Sequence, residues 1–285
     1  MAAHSLAVVV VCLALGQQEA AKSLPTADAP PSRGSKAVEQ FKAEAAEYDM
    51  RLDSRPKEKL VLRKEPLLRW DNPARTGEDG ALFVWTLDGR PEVIGTIFTY
   101  RYNDLIRRKH EYHSLAAGPL VATFRGQRAW APRTAGIHLQ PVPGAPQPAT
   151  SARERLTQMK NLAREFSASM EDMNGEHFEL RLLPQPLMRY EPGVKDLLDG
   201  ALFAFSLGTD PEVILVLEAH QARDRAEWQH ALARFHYIDI RVAHQGHEVW
   251  HVTPLPNITG LNLGSPNYQD SVYATYHVGT EKVEK

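Results

Sequence analysis

Apolar residues along the chain follow two rhythms, and each rhythm appears twice. Over residues 36–52 (KAVEQFKAEAAEYDMRL), Val38, Phe41, Ala45, Tyr48 and Leu52 recur every three or four positions, with no Pro or Gly among them. That spacing predicts an amphipathic helix, with Ser35 placed to cap it. Leu156, Met159, Leu162, Ala163, Phe166 and Met170 repeat the pattern and predict a second helix from about Ala152 to Asp172. Elsewhere the rhythm is that of strands. Leu60, Leu62, Leu68 and Trp70 sit at even spacing, and residues 81–87 (ALFVWTL) are rich in branched and aromatic side chains. Asp88-Gly89-Arg90-Pro91 predicts a turn and residues 93–102 the returning strand. Residues 120–124 and 127–130 predict a short hairpin around Gly126. In the second half, Leu180, Leu182, Leu187 and Tyr190, then residues 201–207, 213–219, 238–242 and 248–252, give the same series, the last pair around Gly246. Residues 272–278 predict one more strand. Segments 104–116 and 224–236 fit either rhythm: Trp228, Leu232 and Phe235 suit a helix, Leu232, Arg234 and His236 a strand. Strand is the reading adopted, because antiparallel neighbours usually follow in sequence.

The two series are one text written twice. Residues 60–94 and 180–214 align without a gap at an offset of 120, with 15 of 35 positions identical. Chance would give roughly two at average residue usage. The expected fold is therefore α+β, a tandem duplication in which each copy is an N-terminal helix packed on an antiparallel meander of five or six strands. It looks like the general class of helix-on-curved-sheet folds, such as cystatin-like or lipoprotein-carrier-like domains, a likeness that carries no function. The expected divisions are residues 36–139 for the first repeat, a Pro-rich linker at 140–151, the second repeat at 152–255 and a tail at 256–285.

Composition sharpens this picture in three ways. Hydrophobic residues make up 43% and charged residues 24%, which suits a packed protein rather than a disordered one. Lys and Arg number 33 against 35 Asp and Glu, so net charge gives no case for nucleic acid or an anionic membrane. The run Leu6–Leu15 (LAVVVVCLAL) is too short to span a bilayer and suits the apolar core of a signal peptide. Residues 1–21 are read as that leader, with cleavage sites after Gly16 or Ala21, and 22–35 as a flexible lead-in. The single cysteine, Cys12, lies within the leader, so the exported chain is expected to carry no thiol or disulfide. Export to the periplasm, cell surface or medium is the expectation, without a transmembrane anchor.

The motifs LLRWDNP…DGALFVWT…DGRPEVI and PLMRY…DGALFAF…DPEVI resemble a group of exported bacterial proteins common in planctomycetes. The resemblance covers residues 36–255. It implies export and a duplicated domain, and it brings no activity and no catalytic residues to carry over.

Candidate chemistry falls into three sets. His247-Glu248-Val249-Trp250-His251 is a literal H-E-x-x-H, the zinc protease signature when it lies on a helix. Its flanks are strand-like and Gln245-Gly246 makes a turn before it. In a strand, residues four apart lie about 13 Å from each other and cannot share a zinc. A coincidental hairpin is therefore preferred to a zinc metalloprotease. Residues 107–113 (RRKHEYH) form a basic, His-bearing cluster that could hold a metal or an anion, or line a solvated strand edge. The third set is what both repeats keep: Arg69/Arg189, Asp79/Asp199, Glu92/Glu212 and His110/His230. Turn chemistry and ion pairing explain these as framework. A Glu–His pair with an Arg would instead make a hydrolase (Glu92/His110 or Glu212/His230) or an anion site. The six His between positions 220 and 251 (220, 230, 236, 244, 247, 251) could bind metal adventitiously or give pH sensitivity. No phosphate loop, dinucleotide fingerprint or nucleophile elbow is present. The leading expectation is a binding or structural module without a cofactor. Its partner would be a small molecule or a cell-envelope component, met in the cleft between repeats or on the concave face of a sheet, with Arg69, Arg189, His110 and His230 as polar contacts.

Overall fold

The computed structural model describes residues 33–72, 77–191, 196–222, 225–255 and 270–282. The leader and most of the lead-in lie outside the described residues, and residues 33–285 form one unit. In the first half, helix α1 (Arg33–Ala46) precedes β1 (Tyr48–Leu52), β2 (Val61–Leu62), β3 (Leu68–Asn72), β4 (Gly77–Leu87), β5 (Arg90–Tyr102), β6 (Leu105–Ser114), β7 (Leu120–Phe124) and β8 (Gln127–Trp130). The short β9 (Gln140–Pro141) follows. Helix α2 (Ala152–Arg164) then opens the second half, with β10 (Phe166–Glu171), β11 (His177–Leu182), β12 (Met188–Tyr190), β13 (Leu197–Leu207), β14 (Asp210–Ala222), β15 (Arg225–Arg234), β16 (Asp239–His244) and β17 (His247–Val252). The last element is β18 (Tyr273–Lys282).

The α+β expectation is corrected: strands make up 57% and helices only 11%, so the protein is mostly β, with curled antiparallel sheets. The strand order is no simple meander either. In the second half it runs β17-β16-β10-β11-β13-β14-β15-β9, with β12 also on β13. The first half holds β1-β7-β8 and β18-β6-β5-β4-β2, with β3 on β4. Leu60 N–H donates to Met50 O at 2.8 Å across the break between those two sheets.

The helices are shorter than the periodicity predicts because a second pattern competes with it. Phe166, Ala168 and Met170 are buried while Ser167, Ser169 and Glu171 are not, a period of two that makes 166–171 a strand. Tyr48 and Met50 do the same after α1. Segments 105–114 and 225–234 are strands. Three of the tight hairpins among the described residues have both central residues left-handed: Asp88-Gly89, Arg125-Gly126 and Gln245-Gly246.

Why the sheets dominate is written in the run Ala81-Leu82-Phe83-Val84-Trp85. Every residue is buried, so the strand is covered on both faces. Ala81, Phe83 and Trp85 join Phe41 and Ala45 of α1 in one core. Leu82, Val84 and Ile94 face the other way, onto Leu202, Ala204, Ile214, Val216, Ala231, Ala233 and Phe235 of the second half. The second half has its own core beneath α2, around Met159, Leu162, Phe203 and Phe205. Each helix thus covers one face only, and the sheets cover each other's second face.

Irregularities recur at the same offset as the sequence. The β4–β5 ladder shifts register at Gly77/Asp79 and Trp85/Thr86, and β13–β14 shifts at Leu197/Asp199 and Phe205/Ser206. Gly80 and Gly200 lie under aromatic rings, where an added Cβ would come within 2.2 Å of Trp70 and 2.3 Å of Tyr190. Gly200→Ala is expected to cost about 1–3 kcal/mol, because the Tyr190 ring must leave its place and its hydroxyl must release Glu218. Urea unfolding of the single variant checks this; a change under about 0.5 kcal/mol, typical of open surface, would contradict the close packing.

Candidate functional site

The recurring residues do not converge. Arg189 on β12 binds Asp199 with Nε–Oδ1 at 2.9 Å and Nη2–Oδ2 at 2.6 Å, and donates to the Ala152 carbonyl at 2.7 Å. Asp199 is fully buried and receives a second guanidinium, from Arg155, at 2.8 Å. The group clamps β12 and β13 to the start of α2. Arg69, at the matching position, is exposed on β3.

Glu92 and Glu212 are buried, but neither meets its histidine. Ile97 is the cross-strand partner of His110, and Glu92 lies five residues away on the opposite face of β5, about 17 Å along the strand. Leu217 pairs with His230, and Glu212 lies five residues away in the same manner. Glu92 instead joins a polar cluster between the halves. Arg90 Nη1 donates to Glu92 Oε1 at 3.2 Å, and its Nε to Glu218 Oε1 at 3.0 Å. Glu218 also accepts from Tyr190 Oη at 2.7 Å and meets His220 Nε2 at 2.8 Å. Burial raises both carboxyls. For Glu218 the contacts with His220, Arg90 and Tyr190 outweigh burial and hold it below the usual range. Glu92 has only a share of Arg90, and burial pushes it up to about 7.

His110 sits in a carboxylate–imidazole–hydroxyl chain. Its Nε2 is 2.8 Å from Glu44 Oε2, its Nδ1 is 2.7 Å from Tyr48 Oη, and Tyr48 Oη is 2.6 Å from Tyr276 Oη. The order matches an activated nucleophile. No substrate can reach it, because Glu44, Tyr48, His110 and Tyr276 are all buried. Burial also lifts the Tyr48 hydroxyl well above its ordinary range, which opposes a phenolate. The chain joins α1, β1, β6 and β18 and acts as framework.

The H-E-x-x-H segment is β17, paired with β16. His251 contacts Asp239 at 2.8 Å, and Arg241 Nη1 donates to Glu248 at 2.9 Å. Among the described residues, no group of three or more His, Cys, Asp or Glu could hold a metal. In the basic cluster, Arg108 bridges Glu44 and Glu281 at 2.9 and 2.8 Å, and Arg107 stacks on Tyr102.

A cavity of about 470 Å³ lies where the halves meet, lined from β6, residues 134–140, β15, β17 and β18. Its apolar walls include Ile137, Leu232, Val249, Trp250, Val252 and Leu255. Its polar lining includes His113, His230, Arg234 and Tyr273. Of the six site residues expected from sequence, only His230 is here. Burial lowers its pKa against the opposing pull of the Gln140 and Pro141 carbonyls, and its Nδ1 is buried without a hydrogen-bond partner. His113 donates from Nδ1 to the Ser114 carbonyl at 2.8 Å, and burial pushes its pKa down to about 4, so it is neutral at pH 7. Arg234 spans three main-chain carbonyls: His236 at 2.7 Å, Thr253 at 3.0 Å and Ile238 at 2.7 Å. Its guanidinium carbon is 5.5 Å from the centre of the Tyr273 ring. Tyr273 hydrogen-bonds Glu111, whose carboxyl is raised by burial. Arg234 and Tyr273 escape the sequence argument because they recur in neither repeat. The available signal was a charged residue inside the apolar run Ala231–Phe235. Among the described residues no helix is long and apolar enough to cross a membrane. Comparison with family models, with curated proteins and with solved structures finds no match to this chain.

Proposed function

We propose that the chain is an exported binding protein, built from a duplicated module, whose site is the cavity between the halves. The single observation that carries this reading is the cavity itself. Its volume falls within the 300–1,000 Å³ of ordinary small-molecule sites, and its mixture of apolar wall and a few polar groups is the usual composition of one. The apolar segment Leu6–Leu15 and the resemblance to exported bacterial proteins support export. The 120-residue offset shared by sequence identities and ladder irregularities supports duplication. Catalysis by Glu92/His110 or Glu212/His230 gains no support, since the partners of each pair face opposite sides of their strands.

A neutral fluorescent probe, N-phenylnaphthylamine, tests the site. Wild-type protein is expected to enhance its emission saturably. Ala135→Trp, which fills the cavity from its half-buried rim, is expected to weaken binding at least tenfold while leaving the thermal transition in place. Equal binding by the two proteins would rule the cavity out as the site.

A further inference from the structure

From the groups that converge on the cavity, we infer that its ligand is a small organic acid: a carboxylate directed at Arg234 and an apolar body against Leu232, Val249, Trp250 and Val252. This rests on the cavity being the binding site. Arg234 carries the argument. It is nearly fully buried, yet no carboxylate of the described residues forms an ion pair with it. Asp239 lies near enough to favour its charge, but is itself engaged by His251 at 2.8 Å and Arg241 at 3.3 Å. Glu111 is the other carboxyl that faces it. It is bonded to Tyr273, and burial favours its neutral form, so it offsets the guanidinium charge poorly. Lys109, beside Glu111, adds no negative charge.

A guanidinium has five N–H groups and three are spent on the carbonyls, which leaves donors to spare. A buried cation without a counter-charge is unfavourable, and a carboxylate arriving on its fork supplies both the charge and the hydrogen bonds. Neutral His113 adds no second cation, which limits the ligand to a single acidic group in this part of the cavity. At ~30 Å³ per water, 470 Å³ holds about fifteen water-sized positions, the scale of one bicyclic acid.

The test varies the ligand and leaves Arg234 in place, because Arg234 also ties three carbonyls and its removal would loosen the fold. Naphthylacetate and naphthylacetamide, alike in shape and differing in charge, are titrated as competitors of N-phenylnaphthylamine at pH 7. The acid is expected to displace the probe with at least tenfold tighter affinity than the amide. Equal competition by acid and amide would overturn the assignment of a carboxylate while leaving the cavity as a binding site. Failure of the neutral probe itself, in wild type as in Ala135→Trp, would remove the cavity reading and this inference together.

Discussion

Asp199→Ala is expected to lower stability by about 3–5 kcal/mol, the largest loss at any position kept by both halves. Asp199 is fully buried and carries two guanidinium groups, Arg155 at 2.8 Å and Arg189 at 2.6 Å. Alanine leaves both cations partly buried beside an empty site, and α2 loses its tie to β12 and β13. The arginines can turn part-way to water, which places the cost at the lower end of the range. Asp79→Ala, at the half-buried matching position, is the internal control and should cost less. Urea unfolding of the two variants, read with Arg189→Ala and the double variant, gives the coupling directly. A loss below 1 kcal/mol for Asp199→Ala, or strict additivity with Arg189→Ala, would show that the clamp contributes little.

Stability should also fall with rising pH through Glu92. Its carboxyl has a pKa of about 7 in the folded chain against 4.5 when free. Between those values the folded state holds a proton that the unfolded state has lost. Stability from this group is therefore highest below pH 4.5, declines as pH rises and levels out above about pH 7.5. At 1.36 kcal/mol per pKa unit the whole fall is about 3 kcal/mol. His113 works in the opposite direction between about pH 4 and 6.5, and Glu111, raised by burial to about 8, works in the same direction as Glu92, so the wild-type curve alone mixes several groups. Glu92→Gln separates them, since glutamine keeps an acceptor for Arg90 and does not titrate. The difference in unfolding free energy between the two proteins should slope downward from pH 4.5 to 7.5. A flat difference would mean that Arg90 neutralises Glu92 as well as Glu218.

Local features of the fold were legible in sequence and long-range ones were not. The hairpins at Asp88-Gly89, Arg125-Gly126 and Gln245-Gly246 depend on residues next to each other, and each forms where turn chemistry puts it. The α+β reading fails for a physical reason: it treats each sheet as having one apolar face, although ALFVW and ALFAF are apolar at every position. A strand apolar throughout has two faces to bury, and the second half supplies the other cover. Phe166 and Met170 misled because a spacing of four satisfies helix and strand alike. Positions repeated at an offset of 120 mark the framework more than the site: Gly80 and Gly200 lie under rings, and Arg189 and Asp199 hold a helix. The cavity takes His113, Arg234 and Tyr273 from strands far apart in sequence, and no spacing rule joins them.

The strand β18 pairs with β6, and the two-residue β9 pairs with β15 at the matching edge of the other half. Each half thus has an outer edge covered by a segment that follows the opposite half. Tyr276 on β18 reaches Tyr48 across 228 positions of sequence. A ribosome therefore releases the first half with a bare edge on β6, and its Glu44–His110–Tyr48 chain waits for Tyr276. Closing so long a loop is slow compared with forming hairpins. The half made first is completed last, and until then the growing chain carries an open strand edge that a chaperone or a neighbouring chain can occupy.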